Sequence, residues 1–183
     1  MGVFRVIVVT WPSEVSDEGE RIADFLLNGG VDFVHVRKPG WGRERTEGLI
    51  LSVPGELRGR LVLHDHFDLA VRYGLGGVHL NGRNASVPVG WGGRVSRSCH
   101  SLEEVRGCKG DCDYVSLSPV FDSISKRGYR AAFSRSEIEA ARAEGIIDGR
   151  VYALGGVRFE DIDMVKDMGF GGALILGDAW RGV

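Results

Sequence analysis

No stretch of the 183 residues approaches the ~20 consecutive apolar residues that a membrane span needs, and the N-terminus lacks the basic and apolar pattern of a secretory signal. No membrane partner is therefore expected, and a cytoplasmic location follows. An excess of positive charge is missing as well. With 23 Lys and Arg against 25 Asp and Glu the net charge is −2, so no basic surface invites nucleic acid and any anionic ligand has to be held locally. Cysteine is scarce. Cys99, Cys108 and Cys112 form an odd set without metal-site spacing, which points to reduced thiols, with Cys108 and Cys112 structural. No Gly-x-Gly-x-x-Gly turn follows the first apolar run, which argues against an open dinucleotide-binding sheet. His35, His64, His79 and His100 together with Asp65 raise zinc, but none of them is spaced as His-x-x-x-His, and a metal hydrolase is set aside.

What is present is a rhythm of short apolar runs alternating with helical segments. At 43% hydrophobic and 26% charged residues, the composition fits one globular domain, 1–183. The spacing predicts strands at Arg5–Thr10, Asp32–Lys38, Arg60–Asp65, Gly77–Leu80, Arg94–Ser98 and Tyr114–Ser118, then at two runs that open at Val151 and Gly172. Between them helices are predicted over Asp17–Asn28, Thr46–Val53, a segment capped by Asp65 and stopped at Gly74, one opened by the Ser101–Glu104 capping box, one opened by Ser134–Glu137, and Arg158–Met168. Asn81–Gly93 is too short and too rich in glycine and proline for a crossover helix, and only a few residues follow the eighth strand. The fold class is therefore α/β, a compact (β/α)8 TIM barrel with a reduced connection between strands 4 and 5 and no substantial eighth helix. The missing cover would leave apolar surface that a homodimer could bury.

The strand ends carry the polar residues. His35, Arg37 and Lys38 follow the second strand, His64 and Asp65 the third, Ser98, Cys99 and His100 the fifth, and Ser123, Ser125 and Lys126 the sixth. The last two strands end in Gly155-Gly156 and in Gly177, where backbone N–H groups without a shielding Cβ can cradle a phosphate. A blander reading makes those glycines simple turns, the 118–126 stretch a polar surface loop and the histidines a satisfied layer of the core. His100 carries an imidazole, which titrates near neutrality and can give and take a proton, and Cys99 precedes it in the chain. The bland alternative for His100 is a helix-start residue bonded to Ser101 or Glu104.

Val34-His35-Val36-Arg37, His64 to Ala70, Gly77-Val78-His79-Leu80, Ser98 to Glu104, Ser118 to Lys126 and Ala153 to Val157, in that order and over nearly the whole chain, resemble the thiamine phosphate synthase superfamily, which also holds the TenI-type thiazole tautomerases. The resemblance implies an enzyme of vitamin B1 synthesis on a (β/α)8 barrel that binds the small molecule thiazole phosphate. His35, Lys38, His64, Ser98, Ser123, Ser125, Lys126, Gly155, Gly156 and Gly177 would contact substrate. His100 falls where the tautomerases carry a proposed acid/base histidine, so the resemblance makes it the candidate general acid/base, with Cys99 and Arg37 as further catalytic candidates. The synthase couples a pyrimidine diphosphate to thiazole phosphate with Mg2+; the tautomerase needs no cofactor. Here one magnesium carboxylate of the family matches Asp65, while the second falls on Asn84, and the family's Gln-x-Arg-x-Lys and Asn-Asp become His35-Val36-Arg37-Lys38-Pro39 and His64-Asp65. The departures place the tautomerase first, with the synthase as the alternative and a non-catalytic phosphate-ligand sensor as a further one.

Overall fold

The apolar runs form strands and the polar, capped segments between them form helices. The structure, a computed structural model, describes residues 2–122 and 132–182. Eight parallel strands, hydrogen-bonded to their neighbours in the order of the sequence, close into a barrel. They are β1 (Arg5–Val9), β2 (Phe33–Val36), β3 (Leu61–Leu63), β4 (Gly77–Leu80), β5 (Arg94–Cys99), β6 (Tyr114–Leu117), β7 (Val151–Leu154) and β8 (Gly172–Ile175). The helices are α1 (Glu18–Leu27), α2 (Arg43–Ser52), α3 (Phe67–Tyr73), α4 (Leu102–Cys108), α5 (Arg135–Ala143) and α6 (Ile162–Asp167), with 3-10 turns at Gly55–Arg60, Lys109–Asp111 and Phe159–Asp161. None of them is long and apolar enough to cross a membrane. The chain divides into two compact units, Ile7–Val95 and Ser96–Gly182, the latter together with the first six residues.

In the unit Ile7–Val95, adjacent strands run in a register that pairs Val9 with His35, His35 with Val62, and Val62 with Gly77. Ile7, Val8, Val34, Leu61, Leu63 and Val78 are fully buried, as expected of parallel strands covered on both faces. Helix α1 buries Ile22, Ala23 and Leu26, three residues on one face. The Arg60 guanidinium bonds the carbonyls of Leu26, Val31 and Asp32, joining the end of α1 to the start of β2. Helix α2 starts three residues earlier than its predicted Thr46, because Thr46 Oγ1 bonds the Gly42 carbonyl and Arg43 pairs with Glu47 across one turn. Asp65 does not cap α3. His66, in the left-handed region at φ 53°, takes the capping position, and the Asp65 carboxylate turns to Arg83 and Asn84 instead. Gly74 stops that helix as predicted.

In the unit Ser96–Gly182, Ser98 pairs with Ser116, Ser116 with Tyr152, and Tyr152 with Gly172. Only one of the two predicted capping boxes closes: Ser134 Oγ accepts from the Glu137 N–H and the Glu137 carboxylate from the Ser134 N–H, whereas Ser101 Oγ accepts from the Glu104 N–H but the Glu104 carboxylate takes the His100 N–H instead of that of Ser101. The predicted helix Arg158–Met168 breaks into a 3-10 turn and the six residues of α6. Between β4 and β5, and after β8, the described residues form only turns and bends, as expected from their length. Trp180 is 3% exposed and fills its own chain, so the apolar surface invoked for a homodimer is already covered at that residue.

Candidate active site

Side chains alternate between the two faces of a strand, so His35 and Arg37 share one face of the β2 line and Val62 and His64 share one face of the β3 line. Leu63 pairs with Val78, which sets the next residues, His64 and His79, side by side. His35 stands on the neighbouring strand, level with Val62. The three imidazoles meet: His35 Nδ1 lies 2.9 Å from His64 Nε2, and the ring centroids are 5.1 Å (His35–His64), 5.0 Å (His35–His79) and 4.2 Å (His64–His79) apart. They are 0%, 6% and 1% exposed, respectively. Burial holds His35 and His64 well below the ordinary histidine range, reinforced by the neighbouring imidazoles, and by Arg37 and Arg83 at His64. The same desolvation, helped by Arg37, lowers His79 to about 3. All three are therefore neutral near pH 7.

Arg37 is half-buried, and Thr10 fixes its backbone: Thr10 Oγ1 accepts from the Arg37 N–H at 2.9 Å and donates to its carbonyl at 3.1 Å. Burial pulls the guanidinium down and Arg83 adds to that, while Asp65 opposes it; an arginine remains charged throughout. Lys38, expected to contact substrate, is 4% exposed. Its ammonium meets Glu18 at 2.6 Å and donates to the carbonyls of Trp11 at 2.8 Å and Ser13 at 2.7 Å, which uses all three of its protons inside the protein. Asn81, the first residue of the connection after β4, had no role in the sequence reading. Its Nδ2 bonds the carbonyls of both His64 and His79, at 2.8 and 3.1 Å, and the signal was its position two residues beyond His79 on the same face.

In the unit Ser96–Gly182, His100 is exposed, with Nδ1 3.2 Å from Ser118 Oγ and 3.3 Å from the Ser118 carbonyl. Its backbone N–H bonds Glu104 at 2.6 Å, so the backbone serves the helix start while the ring remains open to a ligand. Cys99 is fully buried with its Sγ 3.3 Å from that of Cys108, and burial, then Cys108, pushes the thiol up. A thiolate is disfavoured there. Ser98 lies on the adjoining strand position, and Ser123, Ser125 and Lys126 lie outside the described residues.

Gly155 and Gly156 have φ of 91° and 69°. A Cβ at Gly155 would stand 2.7 Å from Pro119 Cα, and one at Gly156 would fall on the Asp122 carbonyl and within 2.8 Å of the Phe121 carbonyl carbon. The Val120 and Phe121 N–H groups bond the carbonyls of Leu154 and Gly155. Glycine is thus required first by the chain's own backbone, whatever else its N–H groups hold. Beyond Gly177, Asp178 accepts from the Phe159 N–H at 2.9 Å and pairs with Arg181 at 2.6 Å, a carboxylate that sequence reasoning did not single out.

The thiamine monophosphate synthase family matches residues 6–177. The chain belongs to that family. A thiamine-phosphate synthase of Thermus thermophilus is 32% identical over 168 residues, 87% of this chain and 78% of that one. A thiamine-phosphate synthase of Syntrophomonas wolfei is 29% identical over 159 residues, 82% of this chain and 75% of that one. The crystal structure of thiamine phosphate pyrophosphorylase from Bacteroides thetaiotaomicron is 38% identical with a TM-score of 0.86, covering 98% of this chain and 86% of that one. The family is one of thiamine biosynthesis, and of the two activities expected from the sequence its relatives carry the synthase rather than the tautomerase.

In a family whose synthase works with magnesium, the residues at Asp65 and Asn84 fit that ion poorly. Mg2+ takes hard oxygen donors in near-octahedral array. Asp65, the one carboxylate of that pair, is engaged on both oxygens: Oδ1 accepts from Asn84 Nδ2 at 2.7 Å and Oδ2 from Arg83 Nη2 at 3.1 Å. Asn84 turns its amide N–H toward Asp65, and Arg83 already neutralises the charge.

Proposed function

We propose that the chain is a transferase that couples hydroxymethylpyrimidine diphosphate to thiazole phosphate. The observation that carries this reading is the family match over residues 6–177, with synthase relatives that cover most of both chains. In the coupling, the thiazole nitrogen forms a bond to the pyrimidine methylene carbon while the bond from that carbon to diphosphate breaks, and diphosphate leaves with the electron pair. Charge develops on the leaving oxygens, and fixed cationic donors stabilise it. Arg37, held by Thr10, supplies one such donor, and Ser123, Ser125 and Lys126 are assigned the diphosphate by resemblance. The backbone N–H groups at Gly155, Gly156 and Gly177 are assigned the phosphate of the thiazole. A single domain and a cytoplasmic location belong to the same reading. A homodimer rests on family resemblance alone, because Trp180 fills its own chain, and sedimentation at micromolar concentration tests it.

A second reading, the tautomerase, is favoured by the exposed His100 ring beside Ser118 and by the poor magnesium set. One incubation separates the two. The protein is given both thiazole tautomers, with and without the pyrimidine diphosphate and added Mg2+. Thiamine phosphate formation supports the transferase; conversion of one tautomer to the other without thiamine phosphate overturns it in favour of the tautomerase.

A further inference from the structure

His35, His64 and His79 come from three neighbouring strands, and one ligand nitrogen from each lies within 4.8 Å of the other two. We propose that these three imidazoles bind a divalent transition-metal ion of the zinc class, a site that does not depend on which reaction the protein catalyses. Three nitrogen donors and no carboxylate select Zn2+, Co2+, Ni2+ or Cu2+ over Mg2+ and Ca2+. At Zn–N distances of about 2.0–2.1 Å, tetrahedral ligand nitrogens stand about 3.4 Å apart. The metal takes the place of the proton shared by His35 and His64, whose nitrogens are 2.9 Å apart, and the pair opens by about 0.5 Å to admit it.

The surroundings hold two of the ligands in place. The Asn81 amide bonds the backbone carbonyls of His64 and His79, and the Asn84 amide bonds that of His64 again at 3.0 Å. These contacts fix the backbone that carries the two ligands and do not engage the imidazoles themselves. Among the described residues three ligands are offered, and a three-ligand set with a fourth position for another group is the arrangement of catalytic rather than structural zinc. Arg37 bears electrostatically on His64 and His79 and opposes a bare dication there. Its charge selects an anionic oxygen, such as that of a phosphate ester, as the fourth ligand.

The test uses the full, untagged chain, treated with chelator, dialysed, and titrated with Zn2+ and with Co2+. One equivalent per chain is expected, with the intense visible absorption of four-coordinate Co2+ and no thiolate charge-transfer band. His79→Gln, checked for folding by circular dichroism, is expected to lose the equivalent. Asn81→Ala, which leaves all three ligands present but frees the backbone of His64 and His79, is expected to weaken binding without abolishing it. The double variant Cys99→Ser, Cys108→Ser is expected to retain it. Absence of stoichiometric uptake by the unmodified chain overturns the proposal, as does full uptake by folded His79→Gln or its loss in the cysteine variant.

Discussion

The two units of the chain build their candidate chemistry from different materials. In Ile7–Val95 it is made of side chains wholly or partly removed from water: three neutral imidazoles, a half-buried arginine whose backbone a threonine pins, and an ammonium locked to a buried carboxylate. In Ser96–Gly182 it is made of backbone in unusual conformations and one exposed imidazole. The first kind of site is sensitive to protonation, because desolvation sets its charge states. The second is sensitive to any added atom, because close approach of one backbone segment to another sets its shape.

Acid should break this comparison most sharply. The folded-state pKa of His79 is about 3, below its unfolded value near 6.5, so between those limits the unfolded chain binds a proton that the folded chain does not. Stability therefore rises with pH in that window and is lost as pH falls from 6.5 toward 3, by up to about 1.4 kcal/mol per pH unit. His35 and His64, lowered in the same direction, steepen the loss. Urea unfolding of chelator-treated protein at a series of pH values measures it, and a flat profile would contradict the buried neutral cluster.

Next in size is the Lys38–Glu18 pair. Lys38→Met leaves the Glu18 carboxylate buried without its cation, and Glu18 Oε1 already has no hydrogen-bond partner. A loss of about 3–5 kcal/mol is expected, with substrate affinity unchanged in whatever fraction stays folded. A stable variant with weakened substrate binding would return Lys38 to the ligand. In the other unit, Gly156→Val forces a Cβ onto the Phe121–Asp122 backbone at a positive φ, and about 3 kcal/mol of stability should be lost. A folded variant with full stability that fails only to bind thiazole phosphate would show that the ligand, not the neighbouring segment, requires the glycine.

The last effect is on rate and leaves stability alone, and it sharpens the choice of reaction. Should the chain act as a synthase, His100→Ala leaves coupling nearly unchanged; should it move the tautomeric proton, the same variant loses about 10²–10⁴ in rate. Steady-state rates for each reaction, compared in the one variant, separate the two roles of the ring.

The order of strands, the Ser101 cap and the Ser134 capping box, the Gly74 stop, the bare connections after β4 and β8 and the family itself were legible in the sequence. Each rests on residues within a few positions of one another, or on motifs in a fixed order, and local pattern is what backbone geometry reads. Tertiary structure alone decided that His35, His64 and His79 meet, that Lys38 turns inward to Glu18, and that Asp65 joins Arg83 and Asn84 rather than capping α3. The histidines carry no metal motif along the chain, since each sits on a different strand and only parallel register brings them level. A shift of one residue in that register would turn an imidazole to the opposite face, so their meeting is a property of strand pairing and not of any stretch of sequence.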